Sequence, residues 1–400
     1  MRFVVLGGGT QGTAAAFDLL HHGAADEVVI ADLDTDNMHP CLRPHLGDRL
    51  GLMQVDASSR GDVAAAIEGM DGVLCALPYH FNLPMARLAV AAGVHFTDLG
   101  GNTAIVTRQR KLDHQARERG VSLVPDTGLA PGMVNVLAQA AIDALDRVEA
   151  VRMWVGGLPR KPKPPLNYQI VYSLEGMLDY YVTSATILRD GRRTRVEALS
   201  GLEHLEFPDP VGRLEAFFTG GGTSALPFRY EGRIGTLEYK TLRYPGHARI
   251  MRAIRDLGLL SDREVVHNGS RVNPRRFFIE RVRPFLSGDG DGDIVVARVD
   301  VAGRRNRKAQ RIRYQLLDRH DPATGLSAMA RTTGSSLAVT AIMQVRGDVR
   351  PGVGTPDEVV PHGPYIDELR ERGIDIERIT TSQHSEIQPA GQTPASRGSP

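Results

Sequence analysis

Apolar residues in the first 125 positions fall into short β-branched runs separated by Ala- and Leu-rich stretches with helical spacing. The runs at 3–6, 27–31, 52–55, 72–75, 95–98 and 121–124 read as strands, and 12–22, 60–67, 83–92 and 108–119 as helices between them. Strands alternating with helices form parallel βαβ units, so the pattern predicts an α/β fold: a Rossmann-type doubly wound parallel sheet. From about residue 148 the pattern shifts to longer polar alternation, with a Pro-rich connection at 159–165 and a hairpin turn at Asp190-Gly191. That shift predicts a second, α+β domain at 126–327 for substrate binding and dimerisation. Small residues at helical spacing return over 328–343, and the 328–378 segment is expected to pack back on the Rossmann domain at 1–125. After Ile379 the chain turns to Thr, Ser, Gln, Pro and Gly, which predicts a disordered tail at 379–400.

A chain of 400 residues exceeds what one core comfortably supports, in keeping with two domains. The formal net charge is only +1, which disfavours nucleic acid as a partner; the basic runs at 189–195 and 304–313 read as solvated strand or hairpin faces. Two cysteines, Cys41 and Cys75, suit neither a disulfide framework nor a zinc site, so no metal is expected and a reducing compartment is. The chain opens directly on a strand, without the pattern of a signal peptide, and no apolar run approaches the roughly 18 residues a membrane span needs. These features predict a cytoplasmic protein with no membrane partner.

Directly after the first strand comes Gly7-Gly8-Gly9-Thr10-Gln11-Gly12, which opens the next helix. In that position Gly7 allows the tight turn, Gly9 lets backbone approach a pyrophosphate, and Gly12 lets helix and strand pack closely. The helix N-terminus, with Thr10 and Gln11, then favours phosphate charge. The second strand ends at Asp32, about 20 residues beyond the last glycine, where a carboxylate accepts from ribose hydroxyls and repels a 2′-phosphate. With Asp34 nearby, NAD is the expected cofactor. Asp56, after the third strand, is a candidate for the adenine side. Ala76, Leu77, Pro78, Tyr79 and His80 follow the fourth strand and are expected beside the nicotinamide ribose; Asp98, Leu99 and Gly100 follow the fifth, and 126–132 the sixth.

Several segments together resemble the saccharopine dehydrogenase-like oxidoreductases, most closely the lysine 6-dehydrogenase branch. They are Asp126-Thr-Gly-Leu-Ala-Pro-Gly-Met-Val-Asn135, Val155-Gly-Gly-Leu-Pro159, Pro164-Pro-Leu-Asn-Tyr168, Tyr172-Ser-Leu-Glu-Gly176, the run from Glu238 to His247, Ala328-Met-Ala-Arg-Thr-Thr-Gly334 and Arg370-Glu-Arg-Gly-Ile374. The likeness covers roughly residues 1 to 380. It implies NAD-dependent oxidative deamination at the ε-amine of L-lysine, giving the semialdehyde that cyclises to a piperideine carboxylate. It also implies an amino-acid substrate and a homodimer or higher homo-oligomer.

In saccharopine reductases the segment similar to 168–176 carries an arginine that clamps a carboxylate; this chain has Glu175 there, which suits an ammonium instead. Hydride leaves only from a carbon whose nitrogen is deprotonated, and a free alkylamine has a pKa near 10.4, so a base is needed. His80, Glu175 and Tyr79 are the catalytic candidates. Lys240 and Arg243 are candidates for the substrate carboxylate, with Asp98, Asn135, Tyr168, Tyr172 and His247 as further substrate contacts. The alternatives are saccharopine reductase or dehydrogenase activity, a carboxyspermidine dehydrogenase-like activity, and an NAD-binding sensor without chemistry.

Overall fold

A computed structural model of the chain describes residues 1–23, 25–288 and 290–382. Seven parallel strands form the first sheet, in the order Gly352–Val353, Ser122–Val124, His95–Asp98, Gly72–Cys75, Arg2–Leu6, Glu27–Asp32, Leu50–Gln54. The N-terminal strands follow the expected Rossmann order, in which direction reverses between Arg2–Leu6 and Gly72–Cys75, leaving a crevice at their carboxyl ends. Val4 and Val5 are fully buried on opposite faces, as a strand covered by helices on both sides requires.

The helix at 108–119 is instead broken into Thr103–Gln109, a tight turn at Arg110–Leu112 and Asp113–Glu118. Asn102 caps the first piece by accepting from the Ala104 and Ile105 amides, so that helix starts nearer the crevice than apolar spacing suggests.

The second sheet is mixed. Its main path runs Glu203–Phe207, Gly212–Phe218, Thr236–Arg243, Arg147–Pro159, Asp293–Arg305, Lys308–Arg319, Ile376–Ser382. The hairpin Ala185–Arg189 and Arg192–Val196, turning at Asp190-Gly191, attaches to Thr236–Arg243. One face of this sheet packs on the helix Met133–Asp143 and on Leu174–Val182; the other holds a smaller cluster around Trp154, Leu214 and Leu242.

The C-terminal segment serves both sheets. Its helix Ala328–Arg346 crosses the cofactor-side helix Thr10–His21 so closely that a Cβ on Gly334 would lie 2.7 Å from that of Ala14. Strand Gly352–Val353 then extends the first sheet, and Ile376–Ser382 pairs with Lys308–Arg319 in the second. Residues 379–382, expected in the tail, are therefore strand; residues 383–400 lie outside the described residues. Among the described residues no helix is long and apolar enough to cross a membrane.

Candidate active site

The glycine loop is shaped for a dinucleotide. Gly7 has a φ of +99°, and a Cβ there would press on the Ala76 carbonyl at 3.2 Å; on Gly12 it would lie 1.8 Å from the Gly7 oxygen. At Gly9 a Cβ would meet nothing within 4 Å, so the loop presents bare backbone to open space. Helix Thr10–His21 begins there without a side-chain cap and without an acid in its first turn. Its leading amides remain free for an anion, which is what pyrophosphate binding needs.

At the end of the second strand Asp32 accepts from the Gly8 amide at 2.5 Å and the Asp34 amide at 3.0 Å. These bonds hold its carboxylate beside the loop, with further lone pairs for ribose hydroxyls. Ala76 and Leu77 line the floor under Gly7, and Pro78 leads into a short turn, Tyr79–Phe81. Asp56 is exposed and caps its own loop through the Ser58 amide. The residues present fit a nicotinamide dinucleotide.

At the next strand ends two carboxylates are buried together. Asp98 accepts from the Gly100 amide at 2.7 Å and from Gln109 Nε2 at 2.6 Å. Burial pushes it up to about 7, with the charge of Asp126 adding to the effect. Asp126, at a φ of +63°, accepts from the Gly101 amide and from the hydroxyl of Ser224, which comes from the second domain. Burial raises it to about 6 against those hydrogen bonds. A Cβ on Gly101 would lie 2.9 Å from the Tyr180 hydroxyl, so Tyr180 overhangs this loop. The Tyr79 hydroxyl lies beside Asp179 and is raised first by burial and then by that charge.

Beside Tyr180 an aromatic cluster packs on one face of the second sheet. Arg243 is buried, its Cζ sits 4.8 Å from the Tyr168 ring centroid, and Nη1 donates to the Leu242 carbonyl at 2.9 Å. Neither Arg243 Nε nor the Tyr168 hydroxyl has a hydrogen-bond partner, and among the described residues no carboxylate pairs with Arg243. His247 is held between the Leu166 carbonyl and the Tyr181 hydroxyl, each at 2.9 Å. Burial and Arg243 push its pKa down to about 3, so it is neutral and fixes one side of the cluster. Tyr172, held neutral by burial, belongs to the same group.

Four expected site residues are placed differently. Lys240 points to the opposite face of its strand from Tyr239 and Arg243, as a period of two demands, and pairs with Glu203 at 3.0 Å. Its ammonium therefore lies on the other face of the sheet from Arg243. Asn135 has its side chain engaged: Oδ1 accepts from Gly132 and Nδ2 donates to the Gly222 and Thr223 carbonyls, so it ties the 126–132 loop to the 219–224 loop. Glu175 is half exposed and paired with Arg283 at 2.8 Å. Although partial burial opposes it, hydrogen bonds from its own amide, Ser173 and Arg283 keep it ionised, and its charge is already matched. His80 is exposed on the Tyr79–Phe81 turn, with its ring against those of Tyr79 and Phe81.

The sequence placed 126–132 at the crevice but gave no individual role to Asp126, Tyr180 or Ser224, which the structure brings together. Asp126 was visible as the first residue of its motif; Ser224 carried no signal, because its role comes from a contact 98 residues away.

A two-domain dinucleotide-binding protein with buried carboxylates at the strand ends is the class that fold and site define. The family description "Saccharopine dehydrogenase NADP binding domain" matches residues 3–124, and "Saccharopine dehydrogenase C-terminal domain" matches 128–374. The chain belongs to the saccharopine dehydrogenase family.

Among curated relatives, mitochondrial alpha-aminoadipic semialdehyde synthase of Bos taurus is 23% identical over 387 residues, covering 78% of this chain and 41% of the relative. Saccharopine dehydrogenase [NADP(+), L-glutamate-forming] of Pyricularia oryzae is 23% identical over 223 residues, covering 53% and 48%. The chain thus spans less than half the length of these two relatives. The solved structure of apo saccharopine dehydrogenase (L-Glu forming) from Saccharomyces cerevisiae superposes with a TM-score of 0.76 at 18% identity, covering 95% of this chain and 99% of that one. Homospermidine synthase from Legionella pneumophila, solved with NAD, gives 0.66 at 13%, covering 98% and 95%. At these identities the likeness establishes the fold.

Proposed function

We propose that the protein is a nicotinamide-dependent oxidoreductase acting on an amine-bearing carbon of an amino acid, with Asp126 as the base and Arg243 as the carboxylate anchor. The observation that carries this reading is Asp126: a buried carboxylate at the mouth of the cofactor crevice whose proton affinity lies close to neutral pH. A base of that kind suits withdrawal of the amine proton, while desolvation lowers the amine's own pKa. Arg243 and Tyr168 offer two unmatched donors in one cluster, which suits a carboxylate.

When bound, the nicotinamide supplies the acceptor for the departing hydride. Asp126 takes the proton from nitrogen, Ser224 and the Gly101 amide orient that carboxylate, and Tyr180 and Tyr79 restrict water at the opening. The carbon–nitrogen double bond so formed is open to hydrolysis.

The Asp32 and Asp34 carboxylates beside the ribose position support NAD over NADP, although the family description names NADP. L-Lysine is the first substrate to test and saccharopine the second; with Glu175 matched by Arg283, the case for an ammonium at that position is weaker. A screen of lysine, ornithine, saccharopine and polyamines with both cofactors, in both directions, checks the reading. Reduced cofactor with an amino acid is the expected result. Cofactor binding with no turnover of any amine would favour the sensor alternative.

A further inference from the structure

Asp98 closes the strand His95–Asp98, and Asp126 lies just past the neighbouring strand Ser122–Val124. Their side chains hold the same turn, Gly100-Gly101. Asp98 Oδ1 accepts from the Gly100 amide at 2.7 Å and from the Asp126 amide at 3.4 Å, while Asp126 Oδ1 accepts from the Gly101 amide at 3.2 Å. The packing is close: a Cβ on Gly100 would lie 1.8 Å from Asp126 Oδ1. Both carboxylates are buried, Asp98 completely.

Among the described residues neither carboxylate forms an ion pair. Around Asp126 the influence of Arg110 is opposed by that of Asp357. Asp98 faces Asp126, the Gln109 amide and the Cys75 thiol, which burial keeps protonated. Tyr180, over the turn, is likewise held neutral by burial. Like charges sharing one turn in a dry interior disfavour double ionisation, so the second proton leaves only at a higher pH than the first.

The surroundings decide which carboxyl ionises first. The Ser224 hydroxyl and the Gly101 amide favour the charged form of Asp126. Asp98 has donors too, yet its complete burial outweighs them and lifts it to about 7, against about 6 for Asp126; the charge on Asp126 acts on Asp98 in the same direction. Gln109 suits either state of Asp98, for its amide carries both a donor, Nε2 at 2.6 Å from Oδ2, and an acceptor, Oε1, that has no partner. We propose that the two carboxylates share a single proton near neutral pH and that Asp98 is the one that keeps it, a positioning residue whose neutrality leaves Asp126 as the charged base. The inference rests on the reading of Asp126 as that base. Asp98 fixes the Asp126 backbone through its amide, and a proton taken from the substrate nitrogen becomes the second proton of the pair.

Infrared bands of protonated carboxyl groups test this in the full-length protein without cofactor or substrate. Both carboxyls are expected to lose their protons between pH 5 and 8, Asp126 first. Difference spectra of variant against wild type separate them from Asp18, Asp293 and Asp318, which burial also raises. Asp98→Asn should abolish the upper step and keep the lower. Asp126→Asn should abolish the lower step and bring the upper one down by about half a pH unit or more, because the charge that holds it up is gone. Gln109→Leu removes a donor to the charged form of Asp98, so it should move the upper step up, and it supplies a readout should Asp98→Asn fold badly. Loss of the lower step in Asp98→Asn would overturn the proposal, as would an upper step that stays in place in Asp126→Asn or in Gln109→Leu. These bands are read without turnover, so the result does not depend on Asp126 being the base; the kcat of Asp126→Asn tests that separately.

Discussion

Asp126 combines three properties that rarely coincide in a loop residue: a left-handed backbone, complete burial and a carboxylate bonded from both domains. As the proposed base it must be charged to act, and burial has raised it to about 6. Turnover should thus fall about tenfold per pH unit below that value, and kcat of Asp126→Asn should drop by about 10²-fold or more while cofactor affinity holds. Steady-state pH profiles check both; a flat profile between pH 5 and 8 would remove Asp126 from the chemistry. Ser224→Ala deletes a hydrogen bond that favours the charged form, so the acid limb should move to higher pH. An unshifted limb would make Ser224 merely structural.

Among the individual residues, the glycine loop and Asp32 were legible in the sequence because their spacing alone dictates their geometry. Lys240 was not, since adjacent strand positions face opposite ways and the sequence does not say which way the cluster lies. Glu175 failed for another reason: its partner Arg283 is distant in the sequence, and an acid looks equally available whether matched or not.

At the level of elements, alternation of strands and helices gave the first sheet almost strand for strand, because each parallel strand must be apolar on both faces. The second sheet was legible only as a change of texture, for its order joins strands far apart in the chain. Close helix contact was also hidden. The Gly334 contact with Ala14 lets the helix carrying the phosphate loop lie against Ala328–Arg346. Gly334→Val should cost about 1–3 kcal/mol through overpacking and weaken dinucleotide binding. Gly363→Ala, where an added Cβ meets nothing within 4 Å, should be neutral or slightly stabilising and serves as the control. Thermal melts with and without cofactor measure both effects.

Across the whole molecule, the C-terminal segment joins what the two family regions divide. Arg372, near its end, donates to both oxygens of Asp18 on the helix Thr10–His21, at 2.8 and 2.9 Å, and also to Glu368. Arg372→Met strands a buried carboxylate and should destabilise by about 3–5 kcal/mol, whereas replacing Asp18 and Arg372 together by apolar residues should recover much of the loss. Chemical denaturation of the three proteins tests this; equal losses for the single and double changes would deny the coupling.

The hydroxyl that Ser224 lends to Asp126 crosses from one lobe to the other, so proton affinity and interlobe distance are tied to one another. Drawing the lobes apart would remove that donor and also let water reach the carboxylate; because burial is the larger influence, the separated form would hold its proton less firmly. Protonation of that single aspartate would then favour the shut arrangement, and its ionisation would act as the wedge.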